Sequence, residues 1–247
     1  MTEPLFLADL TGVTPGSTVR VDGEEGRHAA VVRRIRTGER VLLGDGEGAG
    51  VRGEVVESSR AGIVVRVDEL LAPPAGTLRV VVVQALAKGE RSDVAVEALT
   101  ELGVDEILAW QASRSVVRWD NKVDKGLAKW RGAATSATKQ SRRLRIPRVG
   151  FADSQAVARR LAAADLALVL HEDATRPLRA TSLPARGECV VVVGPEGGIS
   201  PAELELFAGV GAHQVSVSDA VLRTSTAGLV AVSQIRALQP ECPSPAG

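Results

Sequence analysis

Residues 190–203 have the residue types of a strand that runs into a ligand-binding turn. Their sequence is VVVVGPEGGISPAE, an apolar stretch followed by glycines and then by Ser200, Pro201 and Glu203. This order predicts a buried strand, a tight turn and a helix that begins with a capping box and a proline in its first turn. In an α/β protein such a turn lies at the carboxyl edge of the sheet, where ligands bind.

The glycines of this turn, at positions 194, 197 and 198, would allow backbone amides to approach a ligand closely. The turn lacks the Lys-Ser/Thr pair that follows the glycines of a phosphate loop, and Glu196 would repel phosphate. A ligand with neutral or cationic polar groups therefore fits better. A tight turn that binds no ligand is the alternative.

Two further segments carry polar groups at predicted strand ends. In residues 215–228 a strand gives way to Leu222, Arg223 and Thr224 before a helix that begins near residue 225 or 226. The five donors of Arg223, among small and apolar neighbours, suit a nucleobase or a phosphate, whereas Thr224 and Ser225 could simply cap the helix. The apolar run 168–170 likewise ends in His171 and Glu172. In a parallel sheet, three such ends can converge on one pocket.

Strands alternate with helices around these segments. This alternation predicts the α/β class, with a mostly parallel sheet covered by helices on both faces. The predicted strands are 78–85, 106–110, 165–171, 188–193 and 214–218, and the predicted helices are 92–102, about 124–145, 154–164, 201–208 and 226–237.

The first 72 residues predict a separate, β-rich module. Short alternating runs separated by glycine turns indicate strands at 17–21, 39–43, 53–57 and 62–67, with a helix at 24–36. The glycine-rich run 44–50 lies between two strands and is interpreted as a hairpin turn. Residues 72–76, with two prolines and a glycine, predict a linker. The predicted domains are therefore residues 1–72 and residues 73–247.

Positive charge is concentrated in one part of a chain whose net charge is zero. Residues 114–148 hold eleven Lys or Arg and two Asp, a net charge of +9, while the flanking parts are acidic. Such a segment indicates a polyanionic partner, although a solvated helix face is the plainer interpretation.

Composition excludes several other classes of protein. Cys189 and Cys242 form no disulfide or metal pattern, and His28, His171 and His213 are scattered, so we expect reduced thiols and no metal site. No apolar run reaches the roughly 18–20 residues of a membrane-spanning helix, and the first residues do not resemble a signal peptide. These features predict a cytoplasmic protein.

The ordered set of motifs resembles a known family. Residues 194–198 (GPEGG) and 222–227 (LRTSTA) resemble the C-terminal signature of the SPOUT methyltransferases. More narrowly, the chain resembles the ribosomal RNA small subunit methyltransferase E family, which methylates N3 of a uridine in 16S ribosomal RNA. Phe6 and Leu7, the GEE of 23–25 with His28, and the segments 100–104 (TELGV), 113–116 (SRSV) and 140–143 (QSRR) agree with it. Ser225, Arg33 and the Ser218–Asp219 pair depart from the family pattern.

The resemblance implies an N-terminal barrel of the PUA type that binds RNA and a C-terminal SPOUT domain with a deep trefoil knot at about residues 165–236. It also implies a homodimer and S-adenosylmethionine as cofactor, without a metal. The cofactor site carried over from the family consists of Leu170, His171, Glu172, Gly194, Pro195, Glu196, Gly197, Gly198, Val217, Ser218, Leu222, Arg223, Thr224, Thr226 and Ala227.

The partner implied by the resemblance is 16S ribosomal RNA in the small ribosomal subunit. Arg223 is the candidate catalytic residue, and the sequence does not identify the general base, for which Glu196 is one option. The candidate RNA-binding residues are Arg27, His28, Arg34, Arg36, Arg114, Arg118, Lys139, Arg142 and Arg143. Three alternatives remain open: a SPOUT enzyme of other specificity such as ribose 2′-O methylation, a non-catalytic ribosome assembly factor, and a small-molecule enzyme with a nucleotide pocket.

Overall fold

A computed structural model describes residues 3–72 and 78–239. The chain divides into two compact units, Met1–Pro74 with Thr135–Ile146 and Ala75–Ala134 with Pro147–Gly247. Residues 135–146 therefore belong to the first unit although they follow the predicted boundary. The predicted linker lies outside the described residues except for Ala72.

The first unit is built on a five-stranded sheet in the order β1-β3-β4-β5-β2. Strand β1 is parallel to β3, and the other pairs are antiparallel. Alternate side chains such as Val41, Leu43 and Val65 are fully buried in its core, as the period of two in a strand requires. The strands are β1 (Leu5–Leu7), β2 (Thr18–Val21), β3 (Arg40–Gly44), β4 (Gly50–Ser59) and β5 (Gly62–Leu71).

The four strands predicted here are confirmed, and β1 is an addition. The glycine-rich run 44–50 is a hairpin turn, as predicted, because the Asp45 carboxylate accepts hydrogen bonds from the amides of Glu47, Gly48 and Ala49. The predicted helix 24–36 is shorter. It consists of α1 (Gly23–Arg27) and a π-helical turn (His28–Val32), and Arg34 then takes a left-handed conformation with φ of 55°.

The second unit is built on a six-stranded sheet in the order β11-β9-β10-β6-β7-β8, and every pair in it is parallel. The valines at 80–83 and 190–192 are completely buried, as expected where helices cover both faces. The predicted α/β class is confirmed. The strands are β6 (Arg79–Ala85), β7 (Glu106–Trp110), β8 (Arg148–Ala152), β9 (Leu166–Leu170), β10 (Glu188–Val193) and β11 (His213–Val215).

The long helix and its surroundings differ from the prediction. It ends at Ser141 and not near residue 145, because Arg142 adopts φ of 57° and stops it. The edge strand β8, which follows Pro147, was not predicted. The helices are α2 (Arg91–Glu101), α3 (Val123–Ser141), α4 (Ser154–Ala162), α5 (Pro201–Gly209) and α6 (Thr224–Leu238).

The two predicted helix starts have different outcomes. The capping box of α5 is confirmed, with reciprocal hydrogen bonds between Ser200 and Glu203. Helix α6 begins at Thr224 with Arg223 as its N-cap residue and no side-chain capping bond, so the interpretation of Thr224 and Ser225 as caps is wrong.

The structure bears on two expectations from composition, those for membrane-spanning helices and for the cysteines. No helix in residues 3–72 and 78–239 is long and apolar enough to cross a membrane. Cys189 is free and buried in β10, and this burial raises the pKa of its thiol to about 12. At neutral pH the side chain is therefore a protonated thiol without contact with solvent.

Candidate functional site

A cavity of about 320 Å³ lies at the carboxyl ends of three neighbouring strands of the second unit. Strands β9, β10 and β11 end at Leu170, Val193 and Val215, and all three residues line the cavity. Because the strands are parallel neighbours, the loops that follow them meet at one edge of the sheet.

The structure brings together most of the residues predicted to hold the cofactor. Gly197 and Thr226 do not line the cavity. The predicted residues that do are Leu170, His171, Glu172, Gly194, Pro195, Glu196, Gly198, Val217, Ser218, Leu222, Arg223, Thr224 and Ala227.

Two positions of the turn after β10 require glycine, one for its backbone conformation and one for lack of space. Gly198 has φ of +72°, and its amide donates to the carbonyl of Pro195 at 2.9 Å. A Cβ atom at Gly194 would lie 2.8 Å from Cγ1 of Ile199, closer than van der Waals contact allows. At its glycines the turn therefore presents backbone to the cavity, beside Pro195, Glu196 and Ile199.

Glu196 is held as an anion by groups on the loop that follows β6 and at the start of α2. Its carboxylate accepts hydrogen bonds from the amide of Lys88 at 3.2 Å and from the guanidinium of Arg91 at 3.3 Å. Burial raises the pKa of Glu196, but hydrogen bonds from its own amide, Lys88 and Arg91 outweigh it and lower the pKa below its usual range. A carboxylate stabilised in this way is a weak general base.

Glu203, predicted as a capping residue, is the centre of a larger buried network. Only 5% of the residue is exposed. Its carboxylate accepts hydrogen bonds from the amide and hydroxyl of Ser113, from the hydroxyl of Ser154, and from the amide and hydroxyl of Ser200. Burial raises the pKa of Glu203, but the hydrogen bonds from Ser200, Ser113 and Ser154 lower it below its ordinary value. One carboxylate thus joins the loop after β7, the start of α4 and the start of α5.

This network also places Arg114 against the glycine turn. The Arg114 guanidinium donates to the carbonyl of Gly197 at 3.4 Å, and a Cβ atom at Gly197 would lie 3.1 Å from the Arg114 carbonyl oxygen. Gly197 is therefore required for close packing of two backbones, which explains why it lies outside the cavity. Arg114, predicted to bind RNA, lies beside the predicted cofactor loop.

Arg223 is exposed and lines the cavity where α6 begins. Within residues 3–72 and 78–239 no hydrogen bond or ion pair holds its guanidinium, so its five donors are available to a ligand. A hydrogen bond holds the backbone of the next residue, Thr224. The side-chain amide nitrogen of buried Gln84 donates to the Thr224 carbonyl at 3.1 Å.

The structure separates the predicted RNA-binding residues into two sets. Arg114 and Arg118 belong to the second unit, and exposed Arg118 is ion-paired with Asp120. The others belong to the first unit, where a second cavity brings together His28, Lys139 and Arg142. The predicted residues of the first unit that do not line that cavity are Arg27, Arg34, Arg36 and Arg143.

The predicted site omits Arg91 and Gln84 and gives Glu203 only a capping role. Arg91 lines the cavity, Gln84 holds the start of α6, and Glu203 joins three loops. Each makes contacts with a segment roughly 50 to 140 residues away along the chain, so no local pattern could have indicated these contacts. Among the described residues there is also no cluster of three or more His, Cys, Asp or Glu that could hold a metal ion.

Comparison with known proteins identifies the family. The model of a family described as an RNA methyltransferase domain matches residues 74–236, and that of an RNA methyltransferase PUA domain matches residues 21–68. A ribosomal RNA small subunit methyltransferase E of Mycobacterium tuberculosis (strain CDC 1551 / Oshkosh) is 46% identical over 244 residues, which cover 96% of this chain and 93% of that protein. The chain belongs to the ribosomal RNA small subunit methyltransferase E family. The resemblance found in the sequence is confirmed, and the chain is a methyltransferase.

Solved structures agree with this family. A methyltransferase of Legionella pneumophila, in complex with its bound cofactor S-adenosylmethionine, has a TM-score of 0.82 and 27% identity, covering 97% of this chain and 99% of that one. A ribosomal RNA small subunit methyltransferase E of Neisseria gonorrhoeae, bound to S-adenosylmethionine, has a TM-score of 0.85 at 24% identity, covering 96% of this chain and 98% of that one. The second likeness shows the shared fold.

Proposed function

We propose that this chain transfers a methyl group from S-adenosylmethionine to N3 of a uridine in 16S ribosomal RNA of the small ribosomal subunit. The observation that carries the proposal is the cavity at the ends of β9, β10 and β11, because it is built from the two segments that carry the family signature. The names of the 46% identical relative and of the Legionella pneumophila complex support the substrate and the cofactor.

The residues of the cavity fit this cofactor. Apolar side chains such as Leu170, Val217 and Leu222 suit the adenine ring, and the backbone of the glycine turn suits polar groups close to the chain. The carboxylate of Glu172, another lining residue, is compatible with a cationic sulfonium. Bound S-adenosylmethionine supplies an electrophilic methyl group.

The task of the protein is to position uracil and to stabilise the anion that forms when N3 loses its proton. Arg223 is the residue proposed for this role, because its guanidinium lines the cavity without a partner in residues 3–72 and 78–239. Glu196 is committed to Arg91 and the Lys88 amide, so it is not the base that we propose.

Methyl transfer to purified small subunits that lack the modification tests the function. Labelled S-adenosylmethionine followed by nucleoside mass spectrometry should give 3-methyluridine with the unaltered chain. At saturating S-adenosylmethionine, Arg223→Ala should reduce the rate by two orders of magnitude or more, roughly the cost of one transition-state donor. Arg186→Ala, which removes an exposed arginine outside the cavity, is the matched control.

Each outcome decides between the candidates. A methylated ribose would identify a different specificity within the fold. Cofactor binding without transfer to the small subunit would indicate another RNA, and no cofactor binding would favour a non-catalytic assembly factor. Full turnover by Arg223→Ala would show that the role given to Arg223 is wrong.

The proposal includes the remaining properties implied by the family, namely action in the cytoplasm, a homodimer and a trefoil knot at about residues 165–236. Exposed apolar side chains on the second unit, Val94, Val116 and Val221, are compatible with a surface that a second copy covers. Light scattering should give twice the mass of one chain. The mass of one chain at every protein concentration would contradict the dimer.

A further inference from the structure

A second cavity, of about 500 Å³, lies wholly within the first unit. We call it the first-unit pocket. Its walls come from β1, from the π-helical turn and from the last residues of α3, with Arg33, Lys139 and Arg142 among the lining residues and no acidic residue among them. Its volume is that of pockets that hold small organic molecules.

One carboxylate fixes the walls of the first-unit pocket. Glu25 accepts a hydrogen bond from the amide of Leu7 on β1 at 3.0 Å and is ion-paired with the Lys139 ammonium on α3 at 2.9 Å. Glu25 itself lies on α1, directly before the π-helical turn. The pocket is therefore preformed. Glu25 neutralises the charge of Lys139, so the positive charge available to a ligand comes from Arg33 and Arg142.

Arg142 holds a backbone conformation that a glycine would adopt more easily. It follows α3 with φ of 57°. The amides of Arg142 and Arg143 donate to the carbonyls of Lys139 and Thr138, the pattern of a helix end that usually carries Gly at this position. A non-glycine residue in a left-handed conformation is a reason to look for a function of its side chain. The exposed Arg142 side chain lines the pocket.

The other lining groups suit a nucleobase. His28 is half-buried and its ring makes a T-shaped contact with that of Phe6, and Val32, which also lines the pocket, is 66% exposed. The amide of Gln140 offers both a donor and an acceptor. Unstacked bases of single-stranded RNA are recognised by such rings, apolar contacts and amides, whereas the bases of a duplex cannot enter a pocket.

We infer that the first-unit pocket binds one unstacked nucleotide of single-stranded RNA, with its phosphate at Arg33 and Arg142 and its base against His28 and Val32. This inference rests on the proposed function and deepens it, since it adds a nucleotide contact to that of the methylated uridine. It identifies the substrate region as single-stranded around this nucleotide.

Fluorescence anisotropy with a labelled, unstructured RNA of about twelve nucleotides tests the inference. Arg142→Gly should lower the affinity roughly tenfold or more, the scale of a lost charged hydrogen bond. Because glycine suits the backbone at this position, the midpoint of thermal unfolding should be kept or raised. The control is Arg60→Ala, which removes one exposed charge from the β4–β5 turn outside the pocket and should change the affinity less than twofold.

A second variant and a second RNA complete the test. Val32→Asp places a negative charge at an exposed position of the pocket and should weaken binding at least as much as Arg142→Gly. The same RNA annealed to its complement should bind alike to unaltered protein and Arg142→Gly. Equal losses for Arg142→Gly and Arg60→Ala, or equal losses for single strand and duplex, would overturn the inference, because either result would show general attraction to phosphates.

The proposed function can be separated from this result. Normal methyl transfer by the unaltered chain with no effect of Arg142→Gly on RNA affinity would remove only the nucleotide pocket. A selective loss of single-stranded RNA affinity in a chain that transfers no methyl group would keep the pocket and contradict the proposed reaction.

Discussion

At the scale of single residues, Glu203 links the local sequence to the geometry of the site. A buried carboxylate is unfavourable unless it is hydrogen-bonded, and Ser113, Ser154 and Ser200 provide these bonds from three different loops. Because the amide of Ser113 is held in this way, Arg114 is placed against Gly197 and the glycine turn. Glu203 therefore positions one wall of the cavity proposed for the cofactor, although it does not line that cavity.

The change Glu203→Gln tests this role while keeping the size of the side chain. The new NH₂ group cannot accept hydrogen bonds, so an amide that Glu203 satisfies would lose its partner, at a cost of roughly 1–3 kcal/mol in the free energy of unfolding. We also expect weaker binding of S-adenosylmethionine, measured by calorimetry. Glu205→Gln, an exposed neighbour in the same helix, is the control, and equal effects of the two changes would contradict the role of Glu203.

The lowered pKa of Glu203 predicts a pH dependence of stability. The pKa is below its ordinary value of 4.5 in the folded chain, so the carboxylate stabilises the fold fully above that pH. This stabilisation is lost as the pH falls through the lower, folded-state value. The difference in unfolding free energy between the unaltered chain and Glu203→Gln should shrink below pH 4.5. A difference that stays constant from neutral to acidic pH would show that Glu203 is not the group responsible.

At the scale of elements, the sequence pattern predicted the strands and helices that have a clear signal within their own residues. The apolar runs of β6 and β10 and the capping box of α5 are local signals. The edge strand β8 has the sequence RVGFA, with a glycine and one charge, and becomes a strand through pairing with β7. The end of α3 depends on a left-handed Arg142 that no propensity favours.

The same limit applies to the site. The glycine turn and the segment 222–227 could be predicted because each is contiguous in sequence. Arg91, Gln84 and the loop containing Ser113 join the site only through tertiary packing, by contacts between residues far apart in sequence.

The glycine turn gives a prediction for one element. Gly198→Ala would force alanine into a conformation with φ of +72°, at a cost of roughly 1–2 kcal/mol, and should lower the affinity for S-adenosylmethionine. Gly209→Ala is the matched control, because a Cβ atom there meets nothing within 4 Å and the residue is helical. Thermal unfolding and calorimetric titration measure both effects. Unchanged cofactor affinity in Gly198→Ala would show that the turn does not hold the cofactor.

At the scale of the whole molecule, the chain is neutral but divided in charge. The +9 of residues 114–148 is distributed over both units, since residues 135–146 belong to the first. Each phosphate that the protein neutralises releases counterions, so RNA affinity depends on salt concentration.

Affinity for the small subunit should therefore fall steeply as salt increases. We expect a slope of about −4 or steeper for the logarithm of the affinity against the logarithm of salt concentration, which corresponds to roughly five or six phosphate contacts. The affinity for S-adenosylmethionine, measured in the same buffers, should change little. A flat dependence for the RNA would mean that the basic segment is only a solvated surface.

The order of strands in the second sheet also affects how the chain is made. Strand β6 pairs with β7 on one side and with β10 on the other, and β10 follows β6 by about a hundred residues. During translation, β6, β7 and β8 leave the ribosome with the valine-rich edge of β6 still without its neighbour. An exposed apolar edge of this kind promotes association between chains. We therefore expect the nascent chain to be most prone to association before β10 emerges and pairs with β6.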